Sequence, residues 1–283
     1  MSFHKIGVVG SGIMGSGVAE VAASTGATVL VRARSGAGAD AVLVQIDQSL
    51  AKQVDKGKRT AEEAAAIRGR ITTTTDLADL ADCDFVIETV VEDLEVKLDL
   101  FRALDAVVAP EAIIATCTST LPIIDLAMQV SRPERVCGVH FFNPAHAMTL
   151  VEVVRPLCAS PATIAAVNEF VHDCKKEPIE VKDQAGFIVN ALLFPYLNNA
   201  VRLLEQGVAT KEGIDAAMKG GCGFPMGPFA LLDLVGLDTS VAILEALYAE
   251  YADANYAPVP LLRRMVSAGL LGRKSGAGFY QYG

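Results

Sequence analysis

Apolar positions in the first half of the chain fall into short runs separated by longer amphipathic stretches. Residues 5 to 10 (KIGVVG) form a β-branched run ending in glycine, and Met14, Val18, Val21 and Ala22 follow at helical spacing. This pattern predicts a strand, a tight turn and a helix. Residues 27 to 32 (ATVLVR) lie where the return strand of a βαβ unit belongs. Further apolar runs occur at 85 to 91 (FVIETVV), 112 to 115 (AIIA) and 136 to 141 (VCGVHF). Helix-like segments separate them, so the expected architecture is a parallel sheet with helices on both faces.

Ser35-Gly36-Ala37-Gly38-Ala39, just after the second strand, reads as a flexible insert. The long polar stretch from Gln48 to Arg70 reads as a helical excursion, suited to form an arm, rather than a tight crossover. After Val181 the strand-like runs give way to long helical segments, 187 to 206 and 237 to 252. We therefore expect an α/β chain of two domains. Residues 1–183 would form a Rossmann-type, mostly parallel sheet with helices on both faces, and residues 184–283 a smaller all-α domain. The uncharged segment from Gln184 to Val201 approaches membrane-spanning length, but Asn190, Pro195, Asn198 and Asn199 mark it as a buried helix.

Composition narrows the class of partner. With Lys+Arg 24 against Asp+Glu 33, the net charge of -9 argues against nucleic acid, because binding a phosphate backbone is driven by cations. A hydrophobic fraction of 52% excludes a disordered chain. Residues 1 to 5 (MSFHK) run into the first strand without a leader-like apolar segment. The six cysteines show no C-x-x-C pair and no metal-ligand spacing with the four histidines. The expectation is a cytoplasmic protein with reduced thiols and no metal.

Gly10-Ser11-Gly12-Ile13-Met14-Gly15 fits G-x-G-x-x-G between a strand and a helix. Its glycines permit a tight turn and close approach of backbone to a pyrophosphate, which the helix N-terminus would hold; this predicts a dinucleotide site. About 20 residues further on, an Asp or Glu ordinarily binds the ribose hydroxyls of NAD. Here the sequence is Arg32-Ala33-Arg34-Ser35, with Ala33 at the acid's position. Guanidinium groups pair with a 2′-phosphate that a carboxylate would repel, so Arg32 and Arg34 point to NADP(H). The alternative is NAD bound without the acid, the arginines being solvated surface charges.

Val139-His140-Phe141-Phe142-Asn143-Pro144 places a histidine at the carboxyl end of an expected strand, where open α/β sheets bind ligands. Twelve residues later, Glu152 interrupts the apolar run LVEVV at 150 to 154. A carboxylate in a strand suited to burial needs a partner, and an imidazole is a good one. Together they would form a base and its orienting acid, although spacing does not establish that they touch.

These segments, with VVEDLEVK at 90 to 97, TSTLPI at 118 to 123, DQAGFIVNALL at 183 to 193, GFPMGPFALLDLVGLD at 223 to 238 and GRKSGAGFY at 272 to 280, resemble the L-3-hydroxyacyl-CoA dehydrogenase family over nearly the whole chain. The chain most resembles its single-function bacterial 3-hydroxybutyryl-CoA dehydrogenases. The resemblance implies that His140 is the catalytic acid/base with Glu152 its partner. Ser119 and Asn190 would hold the substrate and the nicotinamide end, and Glu92 and Lys97 would contact the cofactor. Ser49 and Lys56 sit where the family's helical arm approaches the CoA tail, with Lys52, Lys58 and Arg59 adding positive charge. A homodimer formed through the helical domain is also implied.

The chain departs from that family at several positions. Cys117 stands where an amide is frequent, and His146 and Thr149 stand where proline and a lysine or apolar residue are frequent. These changes bear on acyl specificity rather than reaction type. A carrier-protein-bound hydroxyacyl thioester is an alternative substrate, and a non-catalytic dinucleotide-binding protein is the alternative from another class.

Overall fold

The computed structural model describes residues 3–283. The chain divides into two compact units, residues 1–183 and 184–283. In the first, strands β1 (Lys5–Val9), β2 (Thr28–Arg32), β3 (Ile71–Thr74), β4 (Phe85–Glu88), β5 (Ile113–Thr116), β6 (Val136–Phe141), β7 (Leu150–Arg155) and β8 (Glu177–Lys182) form one sheet. Its order is β3-β2-β1-β4-β5-β6-β7-β8. The first six strands run parallel, β7 pairs antiparallel with β6, and β8 runs parallel to β7. Strands β4, β5 and β6 are buried at every position, as a parallel sheet covered on both faces requires.

The covering helices are α1 (Ile13–Ser24), α2 (Gly36–Asp55), α3 (Ala61–Gly69), α4 (Leu94–Asp105), α5 (Ile123–Ala127) and α6 (Pro161–Asp173). The Phe85 ring stacks on Phe3 at 4.5 Å between centroids and meets Phe170 edge-on at 5.2 Å. These rings join β4 to α6 in the core.

Three local expectations change. The segment Ser35 to Ala39 is ordered as the start of α2: Ser35 Oγ accepts from the Gly38 amide and Ala39 is buried. The cap, together with burial of Val42, Ile46 and Leu50, offsets a cost of about 1 kcal/mol for each helical glycine. The helical excursion therefore begins at Gly36, and its second helix starts at a Thr60–Glu63 capping box. In the run FVIETVV the strand stops at Glu88, whose carboxylate accepts from the Val90 amide at 2.6 Å, while Val91 is exposed. Strands β3 and β8 lie at the sheet edges with mostly polar, part-exposed residues, so no apolar run announces them.

The second unit contains α7 (Val189–Glu205), α8 (Lys211–Cys222), α9 (Pro228–Val235), α10 (Leu237–Tyr251) and α11 (Pro260–Ser267). They pack around Phe194, Leu197, Phe229, Leu232, Leu244 and Leu247. The buried Asp233 carboxylate accepts from the amides of Phe279 and Tyr280, both at 2.8 Å, and from the Tyr282 hydroxyl at 3.0 Å. This fastens the C-terminal segment to α9. Among the described residues, no helix is long and apolar enough to cross a membrane.

Candidate active site

In the strand order, the sequence reverses direction between β1 and β4, and the turn after β1 opens at that switch point. Gly10 has φ +132, and a Cβ there would lie 2.4 Å from Thr89 Oγ1. A Cβ on Gly15 would lie 2.1 Å from the Gly10 carbonyl oxygen, so the third glycine is required for α1 to pack against the turn. Gly12 would meet nothing within 4 Å, leaving its backbone open to a ligand. A cleft of about 650 Å³ begins here, lined by Gly10, Gly12, Ile13 and Met14 together with Arg32 and Arg34. Close backbone approach, a helix N-terminus and a cleft of this size fit a dinucleotide.

The position of the expected ribose-binding acid, Ala33, is fully buried. Arg32 is half-buried, and its Nε is buried without a hydrogen-bond partner. Arg34 is exposed. Close by, Ser11 Oγ and Ser35 Oγ would lie 3.2 and 3.4 Å from a Cβ on Gly38. This end of the cleft therefore offers guanidinium and hydroxyl groups, and no carboxylate is among its lining residues.

At the carboxyl end of β6, the antiparallel register sets His140 directly opposite Glu152. Side chains of such a pair share one face of the sheet. His140 Nδ1 lies 2.6 Å from Glu152 Oε2, with both residues buried. With the carboxylate accepting from Nδ1–H, Nε2 carries the lone pair, and Ser119 Oγ stands 3.2 Å from it. The Phe142 ring packs 4.6 Å from the imidazole. An imidazole held in this way can take up or release a proton at Nε2 while the carboxylate fixes Nδ1–H.

A second buried carboxylate supports this one. Glu88, fully buried at the end of β4, receives Lys97 Nζ on both oxygens at 2.7 and 2.8 Å, and the Thr116 hydroxyl at 2.7 Å. Lys97 also lies 3.4 Å from Glu92. Glu92 Oε1 accepts from Thr118 Oγ1 at 2.5 Å and from the Ser119 amide at 2.8 Å. The Lys97 ammonium, for which the resemblance implies a contact with the cofactor, is held by the Glu88 and Glu92 carboxylates and is 1% exposed. Glu92 is exposed and remains available to a ligand. Glu88 was not singled out from sequence, although FVIET carries the same signal as LVEVV: one acid in an otherwise apolar strand.

Asn190 lies in the first turn of α7, in the second unit. Ser49 and Lys56 lie on α2 and at its C-cap. Arg59 is half-buried, its Nε donating to Gln53 at 2.9 Å, so it braces the arm rather than standing free. Burial pushes the Cys117 thiol up to about 12, leaving it protonated at neutral pH and without nucleophilic character.

Two family models match the chain: "3-hydroxyacyl-CoA dehydrogenase, NAD binding domain" over residues 5–184, and "3-hydroxyacyl-CoA dehydrogenase, C-terminal domain" over 186–282. A probable 3-hydroxybutyryl-CoA dehydrogenase of Deinococcus radiodurans is 46% identical, covering 98% of this chain and all of that one. The 3-hydroxybutyryl-CoA dehydrogenase of Clostridioides difficile is 44% identical over 98% of this chain and 99% of its own. The crystal structure of Mycobacterium tuberculosis FadB2 superposes with a TM-score of 0.98 at 46% identity, covering 99% of each chain.

Removing one member of a buried ion pair strands the other charge, at a cost of about 3–5 kcal/mol. Lys97→Met is therefore expected to lower the urea midpoint by that amount of stability at unchanged m-value. An unshifted midpoint would show that Glu88 does not depend on Lys97.

Proposed function

Because the chain belongs to the 3-hydroxyacyl-CoA dehydrogenase family, we propose that it interconverts 3-hydroxybutyryl-CoA and acetoacetyl-CoA, with NADP(H) as preferred cofactor. The observation that carries the chemistry is the 2.6 Å contact between His140 and Glu152. In oxidation, His140 Nε2 takes the proton of the C3 hydroxyl, and Glu152 stabilises the resulting imidazolium through Nδ1–H. In reduction the same nitrogen returns the proton to the C3 oxygen. The bound nicotinamide supplies hydride exchange with C3.

The remaining residues orient. Ser119 and Asn190 hold the substrate and the nicotinamide end. Glu92, held by Lys97, fixes the loop bearing Ser119 and reaches the cofactor. Ser49 and Lys56 hold the CoA tail along the arm. Proton transfer at Nε2 and alignment of C3 account for the protein's part, and no metal is assigned a role.

The cofactor preference is supported by Arg32 and Arg34 lining the same cleft as the glycine turn, with alanine at the acid's position. NADP(H) dependence would in turn favour reduction of the 3-oxoacyl thioester in the cell. A homodimer through the second unit is supported by Leu192 and Leu203, 72% and 42% exposed, which recur about three turns apart on one face of α7. Static light scattering is expected to give twice the chain mass, and a monomer would exclude this assembly. The six free cysteines fit a reducing, cytoplasmic compartment.

Initial rates of acetoacetyl-CoA reduction are expected to be higher with NADPH than with NADH, and Arg34→Glu should reverse the order. An advantage for NADH in the unaltered protein refutes the phosphate-site reading and leaves the reaction class in place. His140→Ala is expected to lower kcat by about 10²- to 10⁴-fold with dinucleotide affinity retained. Undiminished turnover in that variant would remove His140 from the mechanism.

A further inference from the structure

We propose that Asp183 is a positioning residue for proton transfer, fixing the loop that sets Ser119 beside His140; the inference rests on the acid/base reading above. Helix α5 follows Pro122, whose side chain has no oxygen with which to cap the first turn. The first amides of α5 are met instead from 60 residues further along the chain. Asp183 Oδ1 accepts from the Ile123 amide at 3.1 Å, and Oδ2 accepts from the Ile124 amide at 2.8 Å. Asp183 itself stands just after β8, its own amide donating to the Arg155 carbonyl of β7 at 3.2 Å. The carboxylate is therefore anchored on the sheet, and it carries that anchorage to α5 through two charge-assisted bonds.

Two features direct this cap toward the reacting groups. At its other end the same loop is held by Glu92, whose Oε1 accepts from the Ser119 amide at 2.8 Å and from the Thr120 amide at 3.3 Å. Between the two ends, Thr118 Oγ1 accepts from the Leu121 amide at 3.0 Å. Ser119 thus sits in a short span of backbone pinned by two carboxylates, Glu92 on one side and Asp183 beyond Pro122 on the other. The second feature is the fully buried side chain of Ile123. A Cβ on Gly138 would lie 2.4 Å from Ile123 Cδ1 and 2.8 Å from Val154 Cβ, so Ile123 rests directly on the Gly138–Val154 pair of β6 and β7. That pair lies two positions along from His140–Glu152, on the same face of the sheet. Asp183 therefore fixes the amide of a residue whose side chain is keyed to the strand pair carrying the imidazole. Four residues earlier the chain presents Ser119, and the 3.2 Å separation of Ser119 Oγ from His140 Nε2 is the distance this clamp sets.

Asp183→Asn keeps the size of the side chain but leaves one carbonyl oxygen to serve two amides. In this variant kcat for acetoacetyl-CoA reduction is expected to fall about 10- to 100-fold, the scale of a misplaced reacting group, with dinucleotide affinity unchanged. A double-mutant cycle with Ser119→Ala separates positioning from a general loosening of the fold. In the Ser119→Ala background, Asp183→Asn should cost less than about 2-fold. Equal losses in both backgrounds would make Asp183 a structural cap and overturn the inference, as would an undiminished kcat. Asp183→Glu, which keeps both oxygens but carries them one methylene further, is expected to lower kcat with the same dependence on Ser119, and it serves where the asparagine variant does not fold. Nitrogen NMR of the histidine rings in the resting protein gives a reading independent of turnover: Asp183→Asn should move the His140 Nε2 resonance in the same direction as Ser119→Ala. If the unaltered protein does not turn over acetoacetyl-CoA, the reaction assignment fails and that resonance decides. A moved resonance leaves the clamp standing, and an unmoved one overturns it.

Discussion

A carboxylate inside an apolar strand costs several kcal/mol unless its charge is paired and hydrogen-bonded. Glu152 meets that requirement by facing His140 across an antiparallel strand pair, and much of the first unit serves to bring about this contact. Six strands of the sheet run parallel, and the chain reverses between β6 and β7, with β8 following the direction of β7. Without the reversal, His140 and Glu152, twelve residues apart on consecutive strands, would not share a cross-strand position. The pairing also selects the imidazole tautomer, which decides which nitrogen can accept a proton.

A second buried acid performs a related task three strands away from Glu152. Glu88 ends β4, Thr116 ends β5 and His140 lies near the end of β6, so the carboxyl edge of the sheet carries a row of polar groups. Lys97 binds Glu88 and Glu92. Glu92 holds the Ser119 amide, and Ser119 Oγ reaches His140. A continuous set of contacts therefore runs from the ion pair under β4 to His140 Nε2. Because Glu88 and Lys97 are desolvated, their geometry is held much more tightly than that of an exposed pair, and it sets the loop from 117 to 120.

Arg32 and Arg34 bring guanidinium groups to the cleft beside the glycine turn of a protein that is acidic overall. The arginines stand next to a buried alanine where a ribose-binding acid is expected.

The glycine turn and central strands were legible because their physical demands are local. A tight strand-to-helix turn needs glycine, and a strand covered on both faces needs unbroken apolar residues. Edge strands β3 and β8 escaped because solvent on one side relaxes that demand, and the Ser35–Ala39 segment misled because a side-chain cap outweighed glycine's poor helix propensity. Glu88 carried the same signal as Glu152 and passed unread. Sequence by itself determined the α/β class, the dinucleotide turn, the replacement of the expected acid by Ala33 and the identity of His140 and Glu152 as candidates. Only tertiary structure decided that β7 reverses, that His140 and Glu152 touch at 2.6 Å, and that the Lys97 ammonium is buried against carboxylates. Strand direction and ion pairing depend on groups distant along the chain, and no local pattern of residue types encodes them.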